Sequence, residues 1–277
     1  MAANSGLVKF DPIVDRKLPS CPFKFHVMEI PNVPAARHFS LQPDLIMSSS
    51  FRHVAVLGAA GGLGQAVLDA CRTQGISFTA IVRSRPERIA DRIADTPSSR
   101  VSVVLSLADR EALTIAFGGA DAVISAIGVT SSSNDDSALI SHNITHVEAA
   151  MSAANVDRLV LVSSIVAPRP GETPNWFLWA FTYMPGNMGC GAREFQALTN
   201  ALGNGALASL RWTLVRAAVH STGADEEPAA SVDWNVPDCR NSMKPVSYGA
   251  MARWMVHEAR AGVFVGAAPL VSRPKAL

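Results

Sequence analysis

The stretch HVAVLGAAGGLGQAVLDA, residues 53–70, sets an apolar run against a glycine-crowded turn and then a helix-patterned segment. Gly58, Gly61 and Gly64 are spaced G-x-x-G-x-x-G, with Ala60, Gly62 and Leu63 completing the turn. A pyrophosphate needs backbone N–H groups brought close at a helix N-terminus, where the helix dipole favours negative charge. A Cβ at the tight turn would block that approach, and the last glycine lets helix and strand pack closely. The spacing therefore predicts a dinucleotide-binding corner, provided that it follows a strand and opens a helix.

Working outward, the chain supplies that context. VAVLG (54–58), FTAIVR (78–83), VSVVLS (101–106), AVISAIG (122–128), RLVLVSS (158–164) and RWTLVRA (211–217) read as strands. Helical patterns separate them, at about 62–74, 109–117 and 137–154, with a further helix before the sixth strand. Strands apolar on both faces and separated by helices pair in parallel under helical cover. The expected fold class is α/β, a doubly wound, mostly parallel sheet with helices on both faces. Its ligand crevice lies at the carboxyl ends of the strands.

Residues 1–46 hold six of the seventeen prolines and no sustained period, so they read as an irregular extension before a single domain over 47–277. Hydrophobic residues make up 48% and charged residues 17%, as in a globular chain. A net charge of +1 gives no reason to expect nucleic acid or an anionic membrane as partner. No apolar run reaches the length of a membrane span. Cys21, Cys71, Cys190 and Cys239 are scattered, which fits a reducing compartment without a disulfide framework. The start lacks the layout of a secretory signal or a transit peptide, so cytoplasm is the expected location. A monomer is expected, since no exposed apolar helix pair stands out.

The end of the second strand selects the dinucleotide. An NAD protein places Asp or Glu there for the ribose 2′-hydroxyl. Here Arg83 and Ser84 follow the strand, and the only acid between Gly58 and Pro86 is Asp69, inside the first helix. A guanidinium forks onto a phosphate and Ser84 adds a hydrogen bond, so NADP(H) is the expected cofactor.

With GAAGGLG, the VR after the second strand, AFGGADAVISAIG (116–128), VDRLVLVSS (156–164) and VSYGAMARWMV (246–256), the chain resembles the atypical short-chain dehydrogenases/reductases. Within them it is most similar to NmrA-like and biliverdin-reductase-B-like NAD(P)-binding proteins, from about Phe51 to Ser272. The resemblance implies a Rossmann-type fold and a nicotinamide pocket lined by Ser125, Ala126, Ile127 and Gly128, and by Ser163 and Ser164.

The chain departs from that pattern at several places. Leu105-Ser106-Leu107 stands where Gly-Asp-Leu is usual, and Arg216-Ala217 where Arg-Pro is usual. No Tyr-x-x-x-Lys pair exists, because Tyr183 and Tyr248 are followed four residues on by Asn187 and Ala252.

Tyr183 is then the candidate proton donor, with Ser163 or Ser164 orienting the substrate oxygen. It belongs to NWFLWAFTYMPGNMGC (175–190), which reads either as an apolar substrate wall or lid or as a buried helix. Arg193 could hold a ribose or carboxylate but shuttles protons poorly. His142 and His146 have a metal-like spacing with no third ligand, so no metal is expected. His220 is a possible substrate contact. The sequence thus points to an NADPH-dependent oxidoreductase reducing a carbonyl or activated double bond of a small, largely apolar substrate. An isomerase, cyclase or dehydratase on the same fold, or an NADP-sensing regulator without catalysis, stands as the alternative.

Overall fold

The computed structural model describes residues 51–128, 140–173, 176–232 and 244–274. The extension read at 1–46, and the first residues of the helix expected from 137, lie outside them.

The chain alternates as expected through its first half: β1 (His53–Leu57), α1 (Gly62–Thr73), β2 (Ser77–Val82), a 3-10 turn (Pro86–Ile89) with α2 (Ala90–Ala94), β3 (Arg100–Val103), α3 (Arg110–Phe117) and β4 (Ala122–Ser125). After α4 (Ile140–Ala153) and β5 (Arg158–Ser164) come α5 (Trp176–Ala180), a 3-10 turn (Phe181–Tyr183) and α6 (Gly186–Gly203). Then follow β6 (Arg211–Ala217), β7 (Val219–Ala224), β8 (Ala229–Ser231), α7 (Tyr248–Ala261) and β9 (Leu270–Ser272).

The sheet runs β3-β2-β1-β4-β5-β6-β9-β8, parallel throughout except for the antiparallel β8–β9 pair. Strand order reverses between β1 and β4, and a crevice forms outside the carboxyl ends of strands at such a point.

The double apolar faces of the strands explain the layering. Val54 and Val56 of β1 pack with Val67 and Leu68 of α1 and with Met251 and Met255 of α7. Their neighbours Ala55 and Leu57 point the other way, into a second core with Leu113 of α3, Val147 and Met151 of α4 and Leu198 of α6. Period-two alternation is thus retained, but both faces are buried.

At the amino ends of the strands a buried ion pair fastens α7 to the sheet. Arg158 Nη2 donates to Glu258 Oε1 at 2.8 Å, and both side chains are about 3% exposed or less. The Glu258 carboxylate also accepts from the N–H groups of Val263 and Phe264. Burial lowers the Arg158 pKa, and the Glu258 charge offsets that effect.

Three features differ from the sequence reading. The third strand stops at Val103, opposite Val82 at the end of its partner β2, and Val103 and Leu105 are 53 and 71% exposed. Strand β7 is mostly polar or small (VHSTGA), and β8 and β9 are three residues each, too short for a period to be read in advance. Residues 176–190 are not one buried helix, since they divide among α5, the 3-10 turn and the first turn of α6 and leave Trp176, Trp179, Tyr183 and Met188 exposed.

Candidate active site

Each glycine of the turn has its own steric reason. Gly58 ends β1 in the left-handed region at φ +76, where L side chains are strained, and an added Cβ would press on Ala126 and Ile127 at 3.1–3.2 Å. A Cβ on Gly64 would lie 2.2 Å from the Gly58 oxygen, so the helix could not sit so close to the strand. A Cβ on Gly62 would stand 2.5 Å from Cε2 of Tyr248. Gly61 N–H donates to Gly58 O at 3.0 Å, and Gln65 closes the turn through Nε2 to Ala60 O, also at 3.0 Å. No side chain caps Gly61 and no acid occupies the first turn of α1, so its N–H groups face the turn uncapped. Uncapped amides at the start of α1, opening onto the crevice, fit a pyrophosphate.

The turn opens into a crevice of about 860 Å³. Arg83 and Ser84 line it at the end of β2. Among the described residues no Asp or Glu lines it, and Arg83 is its only Lys or Arg. Asp69, the only acid between Gly58 and Pro86, is held elsewhere by Arg92 through two contacts of 2.8 Å. Val104, Leu105 and Leu107 make the wall beyond β3 apolar where the resembling proteins carry an aspartate.

At the other end the lining comprises Ala126, Ile127 and Gly128 after β4, and Ser163 and Ser164 at the close of β5. Gly58, Ala60, Gly61, Gly62 and Leu63 line it as well, whereas Gly64 acts from behind as a packing glycine. Ser125 is buried and does not line it.

Ser163 is 3% exposed, and its hydroxyl has no hydrogen-bond partner among the described residues. It continues the face on which Leu159 and Leu161 of β5 turn toward α4 and α6. A buried hydroxyl left unsatisfied costs free energy, which makes it a site waiting for a partner. Ser163 pairs in register with Arg216, whose guanidinium is buried and held to about 10 by desolvation, with Arg169 adding to the shift and Glu172 opposing it.

Tyr183 is not brought to this hydroxyl. Its ring is 69% exposed, packs edge to face on Trp179 at 4.7 Å, and lies outside the crevice lining. Arg193 is a strap and not a crevice residue: Nη1 donates to Thr182 O at 2.5 Å and Nη2 lies 3.2 Å from Cys190 Sγ. His146 Nδ1 accepts from Arg110 Nε on the outer face of α4. His220 does reach the crevice, with Nδ1 2.9 Å from Thr222 Oγ1.

The residue that sequence reasoning missed is Tyr248, the first residue of α7, which lines the crevice with its ring against Gly62. The signals for it were Ser247, the N-cap that starts α7 there, and the resemblance carried by VSYGAMARWMV. Nothing local says that α7 packs beside α1.

A glycine turn feeding uncapped helix amides, at the point where a parallel sheet reverses its strand order, defines a dinucleotide-binding protein of the Rossmann class. Residues 58–258 match the family described as NAD(P)H-binding. The chain belongs to that NAD(P)H-binding family, which accords with its resemblance to atypical short-chain dehydrogenases/reductases. No curated protein matches the chain.

Among solved structures it is similar to a candidate epimerase from Bacteroides thetaiotaomicron, with 18% identity, TM-score 0.62 and coverage of 82% of this chain and 100% of that one. A short-chain dehydrogenase/reductase from Veillonella parvula shares 19% identity at TM-score 0.60, over 81% of this chain and 95% of the other. A candidate NADH-flavin reductase from Streptococcus pneumoniae shares 19% at 0.60, over 80% and 99%. Likeness at this identity establishes the fold, and the reaction is argued from the site.

Proposed function

We propose that the protein is an NADPH-dependent oxidoreductase that reduces a carbonyl or activated double bond of a small, largely apolar substrate. The observation that carries this reading is the crevice itself. It runs from the glycine turn and Arg83 to the buried, partnerless hydroxyl of Ser163, and no acid lines it among the described residues. The amides of α1 and the glycine backbone hold the pyrophosphate, and Arg83 with Ser84 holds a 2′-phosphate. Ala126, Ile127 and Gly128 form the wall for the nicotinamide ring, which supplies a hydride when bound. Ser163 donates a hydrogen bond to the substrate oxygen as negative charge develops there, with Ser164 beside it. Proton delivery falls to these hydroxyls and water, and Tyr183 stands outside the mouth.

A calorimetric titration with NADPH and then NADH tests the cofactor reading. NADPH is expected to bind far more tightly. Arg83→Ala should weaken NADPH about ten- to a hundredfold, the scale of one charged hydrogen-bonding pair, and leave NADH unchanged. Equal binding of both dinucleotides by the wild type would overturn the preference. A non-redox isomerase is the second reading, favoured by the missing Tyr-Lys pair. Isomeric product formed without NADPH oxidation would select it.

A further inference from the structure

Beside the crevice mouth the chain carries an exposed apolar shelf. Trp176, Trp179, Tyr183, Met184 and Met188 are 77, 46, 69, 40 and 56% exposed. Single exposed hydrophobics need no explanation, but five within thirteen residues form a patch of the kind that marks a binding surface. The sequence from Asn175 to Ala192 contains no charged residue.

The shelf is built and fastened. Gly189 is required beneath it, because a Cβ there would lie 1.8 Å from the Met184 oxygen. Arg193 ties the 3-10 turn to α6 through Thr182 O, and Thr182 Oγ1 donates to Trp179 O at 2.7 Å. The edge-to-face pair of Trp179 and Tyr183 fixes the two rings against each other. The shelf is also continuous with the crevice, since Phe181 and Met188 line it.

We infer that this shelf holds the apolar tail of the substrate, so that the substrate class is an amphipathic carbonyl compound with an alkyl chain too long for the crevice to enclose. The inference rests on the reductase reading. With a dinucleotide laid along the crevice, a substrate whose oxygen sits at Ser163 has Met188 and Phe181 as apolar lining on the side that continues to the shelf. A bilayer-docking surface would place Lys or Arg beside its aromatics to meet anionic headgroups. Here the nearest cation in sequence, Arg193, is engaged with the backbone of the 3-10 turn.

Binding of 2-hexanone, 2-decanone and 2-tetradecanone, measured by calorimetry with and without saturating NADP+, tests the inference. Affinity is expected to rise about two- to fourfold per added methylene, the range for burying a CH₂ group wholly or in part. Trp179→Ser and Met184→Ser should each flatten that rise while leaving NADP+ affinity intact. Affinity that stays flat beyond 2-hexanone, or rises equally in both variants and wild type, overturns the shelf. So does a wild-type dimer in light scattering that Trp179→Ser makes monomeric, because the shelf is then a self-interface. Absence of NADP+ binding would instead sink the reductase reading, and the flattening of the cofactor-free series by Trp179→Ser and Met184→Ser still judges the shelf.

Discussion

Gly62 and Gly64 stand two residues apart in one turn, yet a methyl group at each meets a different obstacle. At Gly64 the obstacle is backbone, the Gly58 oxygen at 2.2 Å, and backbone there cannot yield without moving β1 from α1. At Gly62 it is the edge of the Tyr248 ring, which can swing. Gly64→Ala is therefore expected to lower the melting temperature and cofactor affinity together, and Gly62→Ala to do so less. Thermal melts and NADPH titrations of both variants check the order. The need for glycines was legible from their spacing. The partner of Gly62 was not, because Tyr248 lies 186 positions further along the sequence and reaches it only through packing of α7 on α1. The same scale separates two thiols. Burial pushes the Cys71 thiol up to about 12, whereas Cys190 is half-buried beside Arg193. Since the thiolate is the reactive form, iodoacetamide at pH 8 should label Cys190 and spare Cys71 until the protein unfolds. Peptide mass mapping reads this directly.

Elements were legible where periodicity was strong and illegible where the environment decided. The six main strands and the helices between them follow from apolar runs, because burial on both faces favours apolar residues, with Thr79, Thr213 and Arg216 as buried polar exceptions. The edge strand β3 ends at Val103, where its partner β2 ends at Val82, and among the described residues no strand pairs with its outer side. The segment around Trp176 was ambiguous because a turn of exposed aromatics and a turn of buried ones share one composition. The Arg158–Glu258 pair was invisible in the sequence, although it joins the start of β5 to the end of α7. Removing one partner of a buried pair strands the other charge, at a cost of about 3–5 kcal/mol. Glu258→Ala is expected to fall in that range by denaturant unfolding. Glu258→Gln keeps one oxygen that can still accept from the Phe264 N–H, although not from Val263 as well, and should cost less than Glu258→Ala. Equal stability of Glu258→Ala and wild type would mean that α7 is held by its apolar face alone.

For the whole molecule, class was readable and chemistry was not. The strand order and the glycine turn specify where a dinucleotide lies, because that depends on backbone geometry that few residues set. What is reduced depends on which side chains converge at the far end, and Ser163, Met188 and Tyr248 come from three separate parts of the chain. The crevice draws its walls from β1, α1, β2, β5, α6, β6, β7 and α7 and from the loop after β4, so it exists only when these distant parts of the chain are assembled. A ligand bound there stabilises the folded state and has no counterpart site in the unfolded chain. At a hundred times its Kd the gain is about 2.7 kcal/mol. For a domain of this size that corresponds to a rise of roughly 5–10 °C in Tm. NADPH should produce this shift, NADH a much smaller one at equal concentration, and Arg83→Ala should erase the difference without lowering the Tm of the free protein. A thermal melt at matched concentrations separates the outcomes. If both dinucleotides shift Tm equally, Arg83 contributes nothing to the choice of cofactor, and the 2′-phosphate would have to find its contacts elsewhere.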